Sequence, residues 1–91
     1  MGPRAVDVVV TGHVQGVFFR ARMHERAERL GVCGWVRNDE DGSLVAHLEG
    51  PGGAVGDLVA WCEEGPPSAR VSRVTVTDVD PAGDRVFEVR H

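Results

Sequence analysis

An apolar run, Val6-Asp7-Val8-Val9-Val10, leads through Thr11 into Gly12-His13-Val14-Gln15-Gly16-Val17-Phe18-Phe19-Arg20, which opens directly into a stretch of helical spacing. A strand that breaks at a glycine-containing loop and hands over to a helix leaves several backbone N–H groups without partners. These groups lie beside the positive end of the helix dipole. Such a turn is an anion seat. Arg20 closes it, since a guanidinium is permanently charged and its planar fork meets phosphate or carboxylate oxygens two at a time. A positive charge at the positive end of a helix is unfavourable by itself, and an anionic partner removes the conflict.

The spacing excludes two better-known phosphate loops. A nucleotide-binding loop requires a Lys after its last Gly, and the ten basic residues of this chain are all Arg. A cysteine phosphatase would carry Cys six positions before the Arg, where this chain has Val14. What remains is a cradle of backbone donors and one Arg.

The periodicity along the chain predicts the elements around that loop. Residues 5–11 read as a strand whose near-continuous apolar run suits a central position. Phe19, Met23, Ala27 and Leu30 then recur at helical spacing, and Gly31 follows as a left-handed cap. Residues 32–38 and 43–49 read as a hairpin reversed by Asp39-Glu40-Asp41-Gly42. Gly50-Pro51-Gly52-Gly53 reads as a break before a second helix marked by Val55, Leu58, Val59 and Cys62, which Gly65 and two prolines stop. Residues 69–80 read as a fourth strand with a bulge near Ser72-Arg73, and Pro81-Ala82-Gly83-Asp84 turns into a last strand over 86–90. The order β-α-β-β-α-β plus a short terminal strand predicts an α+β fold, the ferredoxin-like split βαβ sandwich, with both helices on one face of an antiparallel sheet. The alternation in the second strand leaves open which face Trp35 covers.

Ninety-one residues fit one domain over 1–91, with no repeat or linker. A net charge of −4 argues against a sequence-independent nucleic-acid binder, which would present a basic face. No stretch has the length of a membrane span, and the first apolar run, interrupted by Asp7, is no secretory leader. With two Cys at no paired spacing, the expected setting is cytoplasmic and the thiols reduced, Cys33 and Cys62 both serving as core residues.

Val14-Gln15-Gly16-Val17-Phe18-Phe19-Arg20 resembles the phosphate loop of the acylphosphatase family, and Gly34-Trp35-Val36-Arg37-Asn38, followed by Asp41-Gly42, resembles that family's second signature. The likeness continues through Gly50-Pro51, Gly65-Pro66-Pro67-Ser68 and Phe87-Glu88-Val89-Arg90, with small departures at Leu44 and at His91, where relatives often carry Val and Tyr. The resemblance implies a small acylphosphatase that hydrolyses the carboxyl–phosphate mixed anhydride of an acyl phosphate by in-line attack of water. It implies Arg20 and Asn38 as catalytic residues, and Gln15, Gly16, Val17, Phe18, Phe19 and Arg20 as the phosphoryl-binding loop. By its own residue type Asn38 is only a strand-end residue favouring the coming turn. Its amide can nonetheless donate and accept, which suits orienting a water. No cofactor and no metal are expected. The expected partners are an acyl phosphate and inorganic phosphate as product, with neither nucleic acid nor membrane, acting on a monomer.

The remaining polar residues carry less. His13 beside Gly12 reads as a solvated turn residue, His24 lies among charges on the exposed helical face, and His47 and His91 have no partner pattern. No His or Cys pair has metal-ligand spacing. Trp35 and Trp61 read as core anchors, and Asp39 to Asp41 as a turn rather than a carboxylate pair. One rival is a non-catalytic module binding acyl phosphate or carbamoyl phosphate, because domains similar to this family occur fused to larger carbamoyl-transferring enzymes. An RNA-binding sheet shares the element order, yet residues 43–49 offer none of the stacking aromatics it needs. A metal carrier of this fold would need a Cys-x-x-Cys loop, which is absent.

Overall fold

The computed structural model describes residues 2–91. Its elements are β1 (Pro3–His13), α1 (Phe19–Leu30), β2 (Cys33–Asn38), β3 (Leu44–Pro51), α2 (Gly52–Glu64), β4 (Arg70–Asp78) and β5 (Phe87–Arg90). They form one five-stranded sheet in the order β4-β1-β3-β2-β5. Val6, Val8 and Val10 of β1, Leu44, Ala46 and Leu48 of β3 and Val36 of β2 form one buried cluster with Phe19, Met23 and Ala27 of α1 and Val55, Leu58 and Cys62 of α2. Alternate residues of three strands thus face the apolar stripes of both helices, as strand and helix periodicities require. Helix α1 packs over β2 and β5, and α2 over β1, β3 and β4. Among the described residues no helix is long and apolar enough to cross a membrane.

The split βαβ arrangement and both helices on one face match the expectation, but the sheet is mixed rather than antiparallel. β1, β2, β3 and β4 pair antiparallel, while β5 runs parallel to β2, with Gly34 opposite Phe87 and Arg37 opposite Arg90. β4 and β5 occupy opposite edges with three strands between them, so residues 79–86 form a crossover and not the turn expected at 81–84; a tight reversal joins only neighbouring strands. β1 is interior in the sheet but covered on one face only, since Asp7 and Val9 are exposed. The segment 50–53, expected as a break, is shared by its neighbours: β3 runs through Pro51 and α2 begins at Gly52. The β4 bulge falls as expected. Thr11 pairs with Arg73 and Gly12 with Val71, leaving Ser72 as the extra residue. Gly12 has φ 125° there, and a Cβ would run into the Arg70 carbonyl oxygen, so β1 can reach the loop beside the bulge only with glycine.

The crossover is pinned by a buried carboxylate. Glu49 of β3 accepts backbone N–H groups from Ala82 at 2.8 Å, Gly83 at 2.9 Å and Asp84 at 2.7 Å, and contacts His47 Nε2 at 2.5 Å. His47 Nδ1 lies 2.7 Å from Asp7. Burial works against the charged forms of both His47 and Glu49. For His47 the hydrogen bonds and charges of Glu49 and Asp7 outweigh it and raise the imidazole above its usual range. For Glu49 the hydrogen bonds from His47 and the three backbone groups outweigh it and lower the carboxyl. His47, Glu49 and Asp84 place one ligand atom each within 4.8 Å of one another. With Glu49 already filled by four donors, the arrangement reads as a clamp. Sequence spacing gave no hint of it because the contacts link β1, β3 and the crossover.

The cysteines and tryptophans depart partly from expectation. Cys62 is buried, its thiol pushed up to about 12 by burial and then by the charge of Glu63, whereas Cys33 is half-buried. Trp35 lies with Cys33 and His47 on the sheet face away from the helices: its ring stacks 6.4 Å from His47 and is flanked by the guanidiniums of Arg37 and Arg90. Trp61 is half-buried and meets Phe19 edge-on at 5.2 Å, with Arg26 over its ring.

Candidate active site

The loop between β1 and α1 is fastened from below and bent above. Val14, Val17 and Phe19 are buried, and Phe19 is wedged against Trp61 and against Gly65, where a Cβ would clash with its ring. These anchors hold the loop to the core while its backbone turns twice through the left-handed region, at Gly16 with φ 73° and at Phe18 with φ 63°. A Cβ on Gly16 would meet nothing, so its glycine is required by conformation and not by space. Successive turns of this kind point consecutive N–H groups inward and form an anion nest at the start of α1. Phe18 caps α1 with no side-chain hydrogen bond, and the first turn carries no acidic residue to compete for that end.

Gln15 ties this loop to the β2–β3 turn: its Nε2 donates to the carbonyl oxygens of Asp39 at 2.8 Å and Ser43 at 3.0 Å. The turn is itself locked, because Asp41 accepts from the Ser43 backbone N–H and hydroxyl. Those bonds, the hydroxyl's first, hold the Asp41 carboxyl below its ordinary range. Asn38, the last residue of β2, is thereby carried to the loop. Its Oδ1 is buried and has no hydrogen-bond partner, an unusual state for a buried amide oxygen.

Arg20 reaches over from the first turn of α1. Its Nη1 donates to the Arg90 carbonyl at 3.0 Å and lies 3.2 Å from His91 Nδ1. Two protons of the fork are thus turned to the end of β5, which leaves the Nε and Nη2 donors for an anion. Arg20, Asn38, Gly16, Phe18 and Phe19 line one open concavity of about 390 Å³ together with Val14, Ala21, Val89 and His91. The structure therefore brings the two expected catalytic residues to one place with the loop. Gln15 and Val17 do not line the concavity; Gln15 braces it from outside, and Val17 points into the core. Val89, His91 and the Arg90 carbonyl were missed, since nothing in residues 87–91 signals that β5 lies beside β2. His13 pairs with Arg70 at the end of β1 and does not border the concavity.

A family model described as acylphosphatase matches residues 6–89. The chain belongs to the acylphosphatase family. An acylphosphatase of Rubrobacter xylanophilus is 60% identical over 89 residues, covering 96% of this chain and 80% of that protein. Among solved structures, an acylphosphatase from Coxiella burnetii superposes with a TM-score of 0.93 at 36% identity, covering 97% of this chain and 93% of the other. The acylphosphatase of Bacillus subtilis superposes at 0.92 with 31% identity, covering 96% and 98%. Membership over nearly the whole length goes with the acylphosphatase activity as well as the fold.

Proposed function

We propose that this acylphosphatase uses the concavity at the start of α1 to hydrolyse acyl phosphates by in-line attack of water, without a metal ion or a covalent intermediate. The loop N–H groups that border the concavity, at Gly16, Phe18, Phe19 and Arg20, with the free Nε and Nη2 donors of Arg20, hold the phosphoryl oxygens and neutralise their charge. Asn38 Oδ1 accepts a hydrogen bond from the attacking water and fixes its direction. As the water oxygen bonds to phosphorus, the bond from phosphorus to the acyl oxygen breaks. The acyl group leaves as a carboxylate, and the water's proton passes to a phosphoryl oxygen. A carboxylic acid has a pKa of about 4, so the leaving group departs at neutral pH without a general acid. Positioning and fixed dipoles are then sufficient for the chemistry.

The observation that carries this reading is the buried, unpartnered Asn38 Oδ1 in the concavity that Arg20 also lines. A buried acceptor left unmade costs about 1–3 kcal/mol, and a bound water removes that cost. The test is hydrolysis of benzoyl phosphate by the purified protein in excess EDTA. Sustained turnover is expected, with p-nitrophenyl phosphate, an ester with a poorer leaving group, far slower. Loss of turnover on chelation, restored by Mg²⁺, would overturn the mechanism; phosphate binding without turnover would favour a binding module.

A further inference from the structure

Phe18 sits in the loop in a way the phosphoryl-binding role leaves unexplained. Its neighbours Val17 and Phe19 are 5% and 2% exposed, whereas Phe18 is 78% exposed, the most of any large hydrophobic residue described. It is also the one non-glycine residue described with positive φ. The left-handed turn serves the anion nest, but the phenyl ring does not: Gly or Asn would adopt that conformation at lower cost. An aromatic ring left in water at a strained position is the kind of outlier that points to function. Phe18 borders the same concavity as Arg20 and Asn38, whose remaining lining includes the apolar residues Ala21 and Val89.

A phosphoryl group seated against the loop N–H groups must project its acyl group towards the open mouth. We propose that the side chain of Phe18, with Val89, is the acyl-group contact of this enzyme, and that it selects acyl phosphates with a flat or bulky apolar acyl group over those with a small one. The inference rests on the acylphosphatase reading and adds to it the class of acyl group. Stacking or edge contact between an aromatic ring and an apolar acyl group removes both from water, which a methyl group can do only in small part. The backbone of Phe18 belongs to the anion seat; its ring addresses the other end of the substrate.

The experiment compares kcat/KM for benzoyl phosphate and acetyl phosphate in the wild type, Phe18→Leu and Phe18→Asn, with the inhibition constant of inorganic phosphate measured in each. Asn tolerates the left-handed turn and so separates loss of the ring from loss of the loop conformation. The wild type should prefer benzoyl phosphate. In Phe18→Asn the benzoyl-to-acetyl ratio should fall by about tenfold, equivalent to about 1.4 kcal/mol, while Phe18→Leu keeps most of the preference. A ratio unchanged in Phe18→Asn, or both substrates and phosphate weakening by one common factor, would overturn the proposal and leave the ring with a loop-shaping role. If the wild type hydrolysed neither substrate, the acylphosphatase reading itself would fall, an outcome distinct from an unchanged ratio.

Discussion

The substitution Glu49→Gln tests the clamp on the crossover. The side chain is isosteric, but one of two acceptor oxygens becomes an NH₂ group. Glu49 faces only donors: the N–H groups of Ala82, Gly83 and Asp84, and His47 Nε2. Whichever way the amide turns, its NH₂ meets two of these donors and loses both bonds. Two hydrogen bonds to a buried charge are worth about 1.5–3 kcal/mol each, and breaking a buried ion pair costs about 3–5 kcal/mol, so the expected loss is about 3–5 kcal/mol. For a domain of this size that lowers Tm by about 12–40 °C. Thermal unfolding followed by circular dichroism reads this directly, and its pH dependence gives a second test. The Glu49 carboxyl is lowered in the folded state, so its contribution is present above the unfolded value of about 4.3 and vanishes as pH falls through the folded value. The His47 imidazole is raised, so its contribution is complete below about 6.5 and is lost as pH rises through its folded value. Wild-type stability should therefore peak between the two ranges. In Glu49→Gln the acid limb should shrink to what the lowered Asp41 carboxyl contributes, and the alkaline limb should shrink as well, with Asp7 at 2.7 Å and Asp84 at 4.0 Å remaining beside the imidazolium. A Tm within 3 °C of wild type, or an unchanged pH profile, would refute the clamp.

Arg20→Lys should raise KM for benzoyl phosphate and the inhibition constant of phosphate at least ~10-fold, because losing one charge-assisted bond of the fork costs about 1.5–3 kcal/mol; near-normal values would place the anion seat elsewhere. Asn38→Ala should lower kcat by ~10²–10³ while phosphate affinity is largely kept, and an equal loss of phosphate affinity would make Asn38 a binding residue. Inorganic phosphate at 100 times its Kd should add ~2.7 kcal/mol and raise Tm by roughly 10–20 °C, an effect that chloride at matched ionic strength should not reproduce.

The anion loop was legible in the chain because its determinants are local. Gly16 and Arg20 stand within five residues of each other beside a helix start, and the turn geometry follows from residue type and helix-end chemistry. The hairpin that carries Asn38 was equally readable, as Asp41 and Gly42 specify its reversal within the turn. The bulge at Ser72 showed as a slip in the phase of one strand. Asn38 itself was different: its residue type favoured a bland turn position, and only the resemblance made it a catalytic residue.

What tertiary structure alone decided are the contacts between residues far apart in sequence. Residues 81–84 look like a turn because glycine and proline have the same local preferences in a crossover as in a hairpin. That β5 joins β2 in parallel follows from the edge left open by the split βαβ order and from Glu49 pinning the crossover. From that placement come the carbonyl of Arg90 that braces Arg20 and the Val89 wall of the concavity. Gln15 was assigned to the loop it stands in, yet its hydrogen bonds run to the hairpin turn that holds Asn38. Periodicity and turn chemistry act within a few residues along the chain and could specify the loop and hairpin separately; packing against a common core brought Arg20 and Asn38 to the same concavity.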